Sequence, residues 1–217
     1  MPTTIIAVVN TKGGVGKSTS CKNTGRGFQK QGKSVVLGDT DPQTSLIEWR
    51  LADPNSDQPE VVTISNNIAL LSEIEKARAR NVDFFIIDGM AAEMGMAMKL
   101  IAVADLVILP LQPSPDDTVF LNDLVELVEL NRLKRNGQPK AAFLLNMVDS
   151  REGMTRLVEE ALKPLSLPVL KTKITRRAAF KIASAEGKTV YDFKGKDFKE
   201  CAKLIDNLLI EIMGMLK

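Results

Sequence analysis

The 217-residue chain has no histidine, and its two cysteines, Cys21 and Cys201, stand far apart in no ligand-like spacing. A zinc or iron–sulfur site built within one chain therefore has almost nothing to draw on. Sparse cysteine also fits a reducing cytoplasm, the expected location. One Trp and one Tyr leave little aromatic surface for stacking on single-stranded nucleic acid. Long hydrophobic runs are missing too: "LIAVADLVILPL" is interrupted by Asp105 and stops at Pro110, so no membrane-spanning helix is expected. The opening "MPTTIIAVVN" is strand-length and carries no positively charged leader, which predicts no signal peptide. A chain of this size buries roughly 70% of its unfolded surface and needs no disulfide or metal staple. One domain over residues 1–217 is expected.

Charge is unevenly spread. Residues 1–150 hold 15 Lys/Arg against 18 Asp/Glu, and residues 151–217 hold 14 against 9. A basic C-terminal third points to a polyanion or to a plain solvated surface.

Strand-like runs alternate with helical patterns. The runs are Thr4–Val9, Ser34–Gly38, Val61–Ile64, Asp83–Ile87, Leu106–Leu109, Ala141–Met147 and a short one near Pro168–Leu170. They are apolar with little alternation, as parallel strands buried on both faces are. Helical patterns cover Lys17–Lys30, Asn67–Arg80, Asp116–Lys134, Arg151–Lys163 and Asp197–Leu216. This predicts an α/β fold: a doubly wound, mostly parallel sheet with helices on both faces and ligands at the carboxyl ends of strands.

The first strand runs into "NTKGGVGKST", Asn10 to Thr19. A strand, a glycine-rich turn and a helix opening on Lys-Ser form a phosphate cradle for a nucleotide. Backbone N–H groups of Gly13, Gly14, Val15, Gly16, Lys17, Ser18 and Thr19 point at the phosphates. Lys17 reaches the terminal phosphates and the Ser18 hydroxyl ligates Mg²⁺. The ordinary pattern G-x-x-x-x-G-K-[ST] would place glycine at position 11, where this chain has Thr11, followed by a second lysine, Lys12. Taken alone, Lys12 is either functional or a solvated loop lysine.

"VVLGDTDPQ" (Val35–Gln43) is a strand running into Asp-x-Asp, and alternation puts Asp39 and Asp41 on one side. They suit a Mg²⁺ shell and an attacking water, or a turn whose acids cap the next helix. "VDFFIIDGM" (Val82–Met90) is an apolar strand ending in Asp88, a Walker B arrangement that holds Mg²⁺ through water.

"KGGVGKST" resembles the deviant Walker A of the ParA/MinD family of partitioning and positioning ATPases, and "DTDPQ" resembles that family's DxDPQ segment. Gly38 departs from the larger apolar residue usual there. "ADLVILPLQPSPDD" (Ala104–Asp117), in which Asp116 or Asp117 caps the following helix, is similar to its Pro-rich turn. "AAFLLNMVD" (Ala141–Asp149) is similar to the strand whose Asn, here Asn146, contacts adenine; a turn-stabilising Asn is the other reading. "LKTKITRRAAFKIASAEGKTVYDF" (Leu170–Phe193) resembles the C-terminal signature, so the similarity spans the chain. It is nearest to small ParA-like partition ATPases lacking an N-terminal DNA-reading domain, since the first strand begins at about residue 4.

The resemblance implies a Mg²⁺-dependent ATPase whose cofactors are ATP and Mg²⁺. Lys12 reaches the partner's phosphates in an ATP-dependent homodimer, Lys17 holds the chain's own nucleotide, Asp41 orients water and Asp39 supports the metal. It further implies non-specific binding of duplex DNA, nucleoid association in the ATP state, and a ParB-like adaptor that stimulates hydrolysis during segregation of a plasmid or other DNA cargo. Lys171, Lys173, Arg176, Arg177, Lys181, Lys188, Lys194, Lys196, Lys199 and Lys203 are the candidate DNA contacts. A MinD-like role on a membrane or protein cluster is the alternative. The last helix, with Leu204, Ile205, Leu208, Leu209, Ile212 and Met213 on one face, better suits packing on a core than anionic lipid, so no membrane contact is expected. An electron-transfer relative would need cluster-binding cysteines after Asp88, where none stands before Cys201.

Overall fold

The computed structural model describes residues 2–91, 93–114, 121–149 and 152–217. Six strands, β1 (Thr4–Val8), β2 (Val35–Asp39), β3 (Glu60–Thr63), β4 (Phe84–Asp88), β5 (Leu106–Leu111) and β6 (Lys140–Leu145), form one sheet in the order β3-β2-β4-β1-β5-β6. Every pairing is parallel. The strands are rich in Val, Ile, Leu and Phe, whose branched and aromatic side chains fit a pleated surface covered on both faces.

Among the described residues, eight α-helices connect and cover them: α1 (Lys17–Lys30), α2 (Ser45–Ala52), α3 (Asn67–Ala79), α4 (Met94–Val103), α5 (Leu121–Lys134), α6 (Glu152–Leu162), α7 (Ala178–Ala185) and α8 (Lys196–Met215). Alternate strand residues feed two separate cores, as a period of two requires. Ile5, Ala7 and Val9 join the core under α3, α4, α5 and α6, built on Leu70, Leu100, Leu124 and Val158. Ile6 and Val8 join the one under α1, α2, α7 and α8, built on Phe28, Trp49, Phe180 and Leu208.

The expected seventh strand is reduced to a single parallel bridge, Phe143 to Val169, because Pro168 has no N–H to extend a ladder. Helices α2, α4 and α7 were not expected from the sequence. The expected start of α5 at Asp116, its Asp116 or Asp117 cap, and the expected start of α6 at Arg151 lie outside the described residues.

Gly38 leaves room in β2 that Ile64 and Phe85 occupy: a Cβ there would come 2.6 Å from Ile64 Cδ1. The departure at this position therefore reflects packing under the sheet. α8 buries Cys201, Ile205, Leu208, Leu209 and Ile212, covering the apolar face foreseen for it. Among the described residues, no helix is long and apolar enough to cross a membrane.

Two contacts fix the C-terminal segment on the phosphate-loop helix and its neighbour. Arg26 of α1, buried, donates to Asp57 Oδ1 at 2.6 Å and to Asp192 Oδ1 at 2.8 Å. Gly187, after α7, has φ +67° and sits so close to α2 that a Cβ would meet Asp53 N at 2.7 Å and Trp49 O at 2.9 Å. Only glycine meets both demands. α7 is thereby held beside α2, where it walls a cavity at the carboxyl end of the sheet.

Candidate nucleotide site

β1 delivers the chain into the loop, and Asn10 anchors it. Asn10 Nδ2 donates to Pro110 O at the end of β5, and Oδ1 accepts from Lys12 N, both at 2.8 Å. From the far side, Asn146 Nδ2 donates to Val15 O at 2.8 Å. Gly14 and Gly16 turn the loop with φ of +74° and +90°. α1 then begins with no side-chain cap and no acid in its first turn. Its first amides lack partners from side chains, which is the arrangement that binds anions.

Lys17 is 8% exposed, and its Nζ donates to Lys12 O at 3.0 Å. The ammonium thus folds back over the mouth of its own loop. Burial lowers its pKa, with the charges of Asp88 and Asp41 opposing. Lys12 is half-buried, while Gly13 and Gly14 beside it are exposed. The tip of the loop therefore faces outward.

The acids divide into two kinds. Asp41, half-buried, and Asp88 line a cavity of about 300 Å³ together with Gly13, Lys17, Ser18 and Ser45. Asp39 does not line it, although it is in register with Asp88 across β2 and β4. Its Oδ1 accepts Asp41 N at 3.0 Å, and its Oδ2 accepts Leu46 N at 2.8 Å and Ile47 N at 3.2 Å. Asp39 thus shapes the turn that presents Asp41 and satisfies amides at the start of α2. The expected placement of Asp39 and Asp41 on one side of an extended chain gives way to this turn.

Asp88 is 2% exposed. Burial pushes its carboxyl up to about 7; hydrogen bonding from Ser18 pulls down, the Asp39 charge adds to the rise, and Lys17 and Lys22 pull down. Its Oδ1 is buried without a hydrogen-bond partner. An orphaned carboxylate oxygen next to Ser18 on a phosphate loop fits a hard divalent cation. No group of three or more acids, His or Cys forms a metal cage among the described residues. The donor set suits Mg²⁺, which keeps several waters and shares its shell with phosphate oxygens.

Asn146 lies between the phosphate cavity and a second cavity of about 380 Å³ that it lines with Met147, Ile174, Phe180, Ser184 and Ala185. Its Nδ2 is taken by Val15 and its Oδ1 by Met147 N at 2.9 Å. The side chain expected at adenine therefore also braces the phosphate loop. Met147, which lines both cavities, was not foreseen; nor were Ser45, Ser184 or Lys22. Met147 adjoins Asn146 and Lys22 follows the loop, while Ser45 follows the Asp-x-Asp turn and Ser184 lies in the Leu170–Phe193 segment.

Of the basic residues, Lys173 pairs with Glu159, Arg176 with Asp149, Arg177 with Asp197 and Glu200, and Lys188 with Glu186. Lys181, Lys194, Lys196, Lys199 and Lys203 are exposed on α7, the segment before α8 and the first two turns of α8.

The chain matches the family described as "CobQ/CobB/MinD/ParA nucleotide binding domain" over residues 6–190. The Maintenance of carboxysome distribution protein A of Halothiobacillus neapolitanus is 32% identical over 212 residues, covering 96% of this chain and 95% of that protein. A solved ATP complex of a Cyanothece McdA variant superposes with a TM-score of 0.74 at 15% identity, covering 98% of this chain and 97% of that one. The septum site-determining protein MinD of Pyrococcus horikoshii, complexed with Mg-ADP, gives 0.69 at 18% identity, with 99% of each chain covered. The strand order, the phosphate loop and these likenesses agree: the chain belongs to the CobQ/CobB/MinD/ParA nucleotide-binding family.

Proposed function

We propose that the chain is a single-domain, Mg²⁺-dependent ATPase that dimerises on ATP, binds duplex DNA without reading sequence, and lets go after hydrolysis. The observation that carries this reading is the division between the two lysines. Lys17 is buried and folded over its own loop, while Lys12 stands at the rim beside the exposed Gly13 and Gly14. A second subunit covering that rim receives Lys12 at its own phosphates, where a cation supplied in trans stabilises the charge of the transferred phosphoryl group as an arginine finger does. Ser18 and Asp88 would hold Mg²⁺, with Asp39 supporting from behind the turn. The ion neutralises phosphate charge when bound, and Asp41 orients the attacking water. Asn146 keeps the loop closed over the phosphates.

The exposed Lys181, Lys194, Lys196, Lys199 and Lys203 give a backbone-contacting surface that dimerisation doubles. Binding through several phosphates is steeply salt-dependent and blind to sequence. Hydrolysis is slow until a ParB-like adaptor joins the DNA-bound dimer, and the protein is cytoplasmic, on the nucleoid in its ATP state. Plasmid segregation is one cargo reading. The 32% identical relative that distributes carboxysomes favours a second, in which the cargo is a protein-bounded compartment moved over the same DNA surface.

Lys12→Gln should keep ATP binding, while ATP-dependent dimerisation measured by light scattering disappears and turnover falls on the order of a hundredfold or more. Unchanged dimerisation and turnover would remove Lys12 from the interface. Asp41→Ala should leave ATP and DNA binding intact and stop hydrolysis, trapping the DNA-bound form. Full-rate phosphate release from that variant would remove Asp41 as the water-positioning group.

A further inference from the structure

Lys22, in the second turn of α1, is 5% exposed and has no part in the phosphate chemistry above. Its ammonium donates to Ser184 Oγ on α7 at 2.6 Å and lies 5.6 Å from the centroid of the Trp49 ring. Trp49 is itself held, its Nε1 donating to Lys188 O at 3.0 Å.

An ammonium has donors only, so the Ser184 oxygen is the acceptor and its single O–H points elsewhere. A helical serine often returns that O–H to a carbonyl one turn back. Among the described residues the Ser184 side chain makes no such bond; its one hydrogen bond is the one from Lys22. Ser184 lines the 380 Å³ cavity, whose walls include the apolar side chains of Met147, Ile174, Phe180 and Ala185. Across that cavity, one Nδ2 hydrogen of Asn146 goes to Val15 O and one Oδ1 lone pair takes Met147 N, so the amide keeps one donor and one acceptor site. The walls also carry Thr19, Thr175, Arg176, Arg177 and Lys181. The apolar faces suit a heteroaromatic ring. Ser184 is the hydroxyl whose acceptor side is already filled by a buried ammonium, which leaves its O–H for an acceptor on the ring edge.

We infer that Lys22 and Ser184 form a base-reading device of the nucleotide site. The Ser184 O–H is a fixed donor to a ring nitrogen of the purine, and Lys22 is the positioning residue that sets its direction. The inference rests on the proposed binding of ATP. It adds α7 and a buried charge on α1 to recognition of the base, beside Asn146, which also braces the loop.

Calorimetric titration tests it, using ATP, its 1-deaza, 3-deaza and 7-deaza analogues, and 2′-deoxy- and 3′-deoxy-ATP. The proteins are wild type, Ser184→Ala, Lys22→Met and the double variant. Ser184→Ala should bind ATP roughly two- to tenfold more weakly, the worth of one hydrogen bond. One deaza analogue should bind wild type more weakly by the same factor and lose nothing further in Ser184→Ala. Lys22→Met keeps the stem and removes the charge. It should weaken ATP by a smaller factor, and the double variant should match Ser184→Ala alone, a coupling that two independent structural losses would not give.

Equal ATP affinity in wild type and Ser184→Ala would overturn the inference and mean that the Ser184 hydroxyl gives no proton to the base. Coupling of Ser184 to a deoxynucleotide, with none to any deaza analogue, would overturn it in favour of ribose recognition. Failure of wild type to bind ATP at all would instead sink the reading on which it rests.

Discussion

Lys17→Ala should weaken nucleotide binding severely while leaving the free protein nearly as stable as wild type. The two halves of this expectation come from the same geometry. Without ligand, the Lys17 ammonium is desolvated, and the 3.0 Å hydrogen bond to a carbonyl and the attraction of Asp88 and Asp41 offset that only in part. The lowered pKa of the group, caused first by burial, expresses the cost of keeping it charged there. Removing a buried charge held this weakly costs little and can stabilise. With phosphates in the cavity, the same ammonium meets a multiply charged partner, and truncating one side of a buried charge pair typically costs about 2–5 kcal/mol. Affinity should therefore fall roughly 30- to 5,000-fold by titration calorimetry, while the ligand-free melting temperature moves by no more than about 2–4 °C. Tight ATP binding by the variant would mean that the cradle is assembled by its amides alone. A large drop in ligand-free melting temperature would mean that Lys17 serves the fold.

Gly16→Ala should fail in a different pattern, losing stability and binding together. Gly16 has φ +90°, and a Cβ there would stand 2.1 Å from Asn146 Nδ2. The methyl group cannot be accommodated without displacing Asn146, which breaks the bond to Val15 O that closes the loop. Backbone strain at such a φ costs of order 1–3 kcal/mol, and the lost buried hydrogen bond about 1–3 more. A melting temperature lower by roughly 5–20 °C and ATP binding weaker by on the order of a hundredfold or more are expected from scanning fluorimetry and calorimetry. Normal binding by Gly16→Ala would show that the Asn146 brace is dispensable. Reading the two variants side by side separates chemistry from architecture at neighbouring positions.

The sheet and the phosphate loop were legible because their signals are local. Each strand is an apolar run of the right length, and the loop is a contiguous string whose glycines and lysine have fixed duties. The three unforeseen helices had weaker signals. α2 and α7 are eight residues each, too short to show a repeated period and held in place by Trp49, Gly187 and the sheet. α4 reads "MGMAMKLIAV", apolar on most sides, so periodicity could not separate it from the strand that follows.

Site geometry was legible only in part, for a different reason. Asp39 and Asp41 look alike on a strand, and a turn between them sends one carboxylate to backbone amides and the other to the cavity. Lys22 and Arg26 look like the solvated face of a helix. Both are buried because Ser184, Asp57 and Asp192, distant in sequence, come to meet them. No pattern within the helix itself could announce partners that lie so far along the chain.

The strand order has a kinetic consequence. β1 is the first strand of the chain yet lies inside the sheet, between β4 and β5. It cannot acquire either neighbour until residues 84–88 and 106–111 are available, and such wide loop closures are slow. Until then, a strand with two open edges carries the glycine-rich turn. The C-terminal wall around Phe180 and Ser184 arrives later still in the chain. On the proposed reading, a nucleotide bridging the early loop and this late wall binds only after these closures, so ATP would act on the folding equilibrium as a late clasp that selects folded molecules.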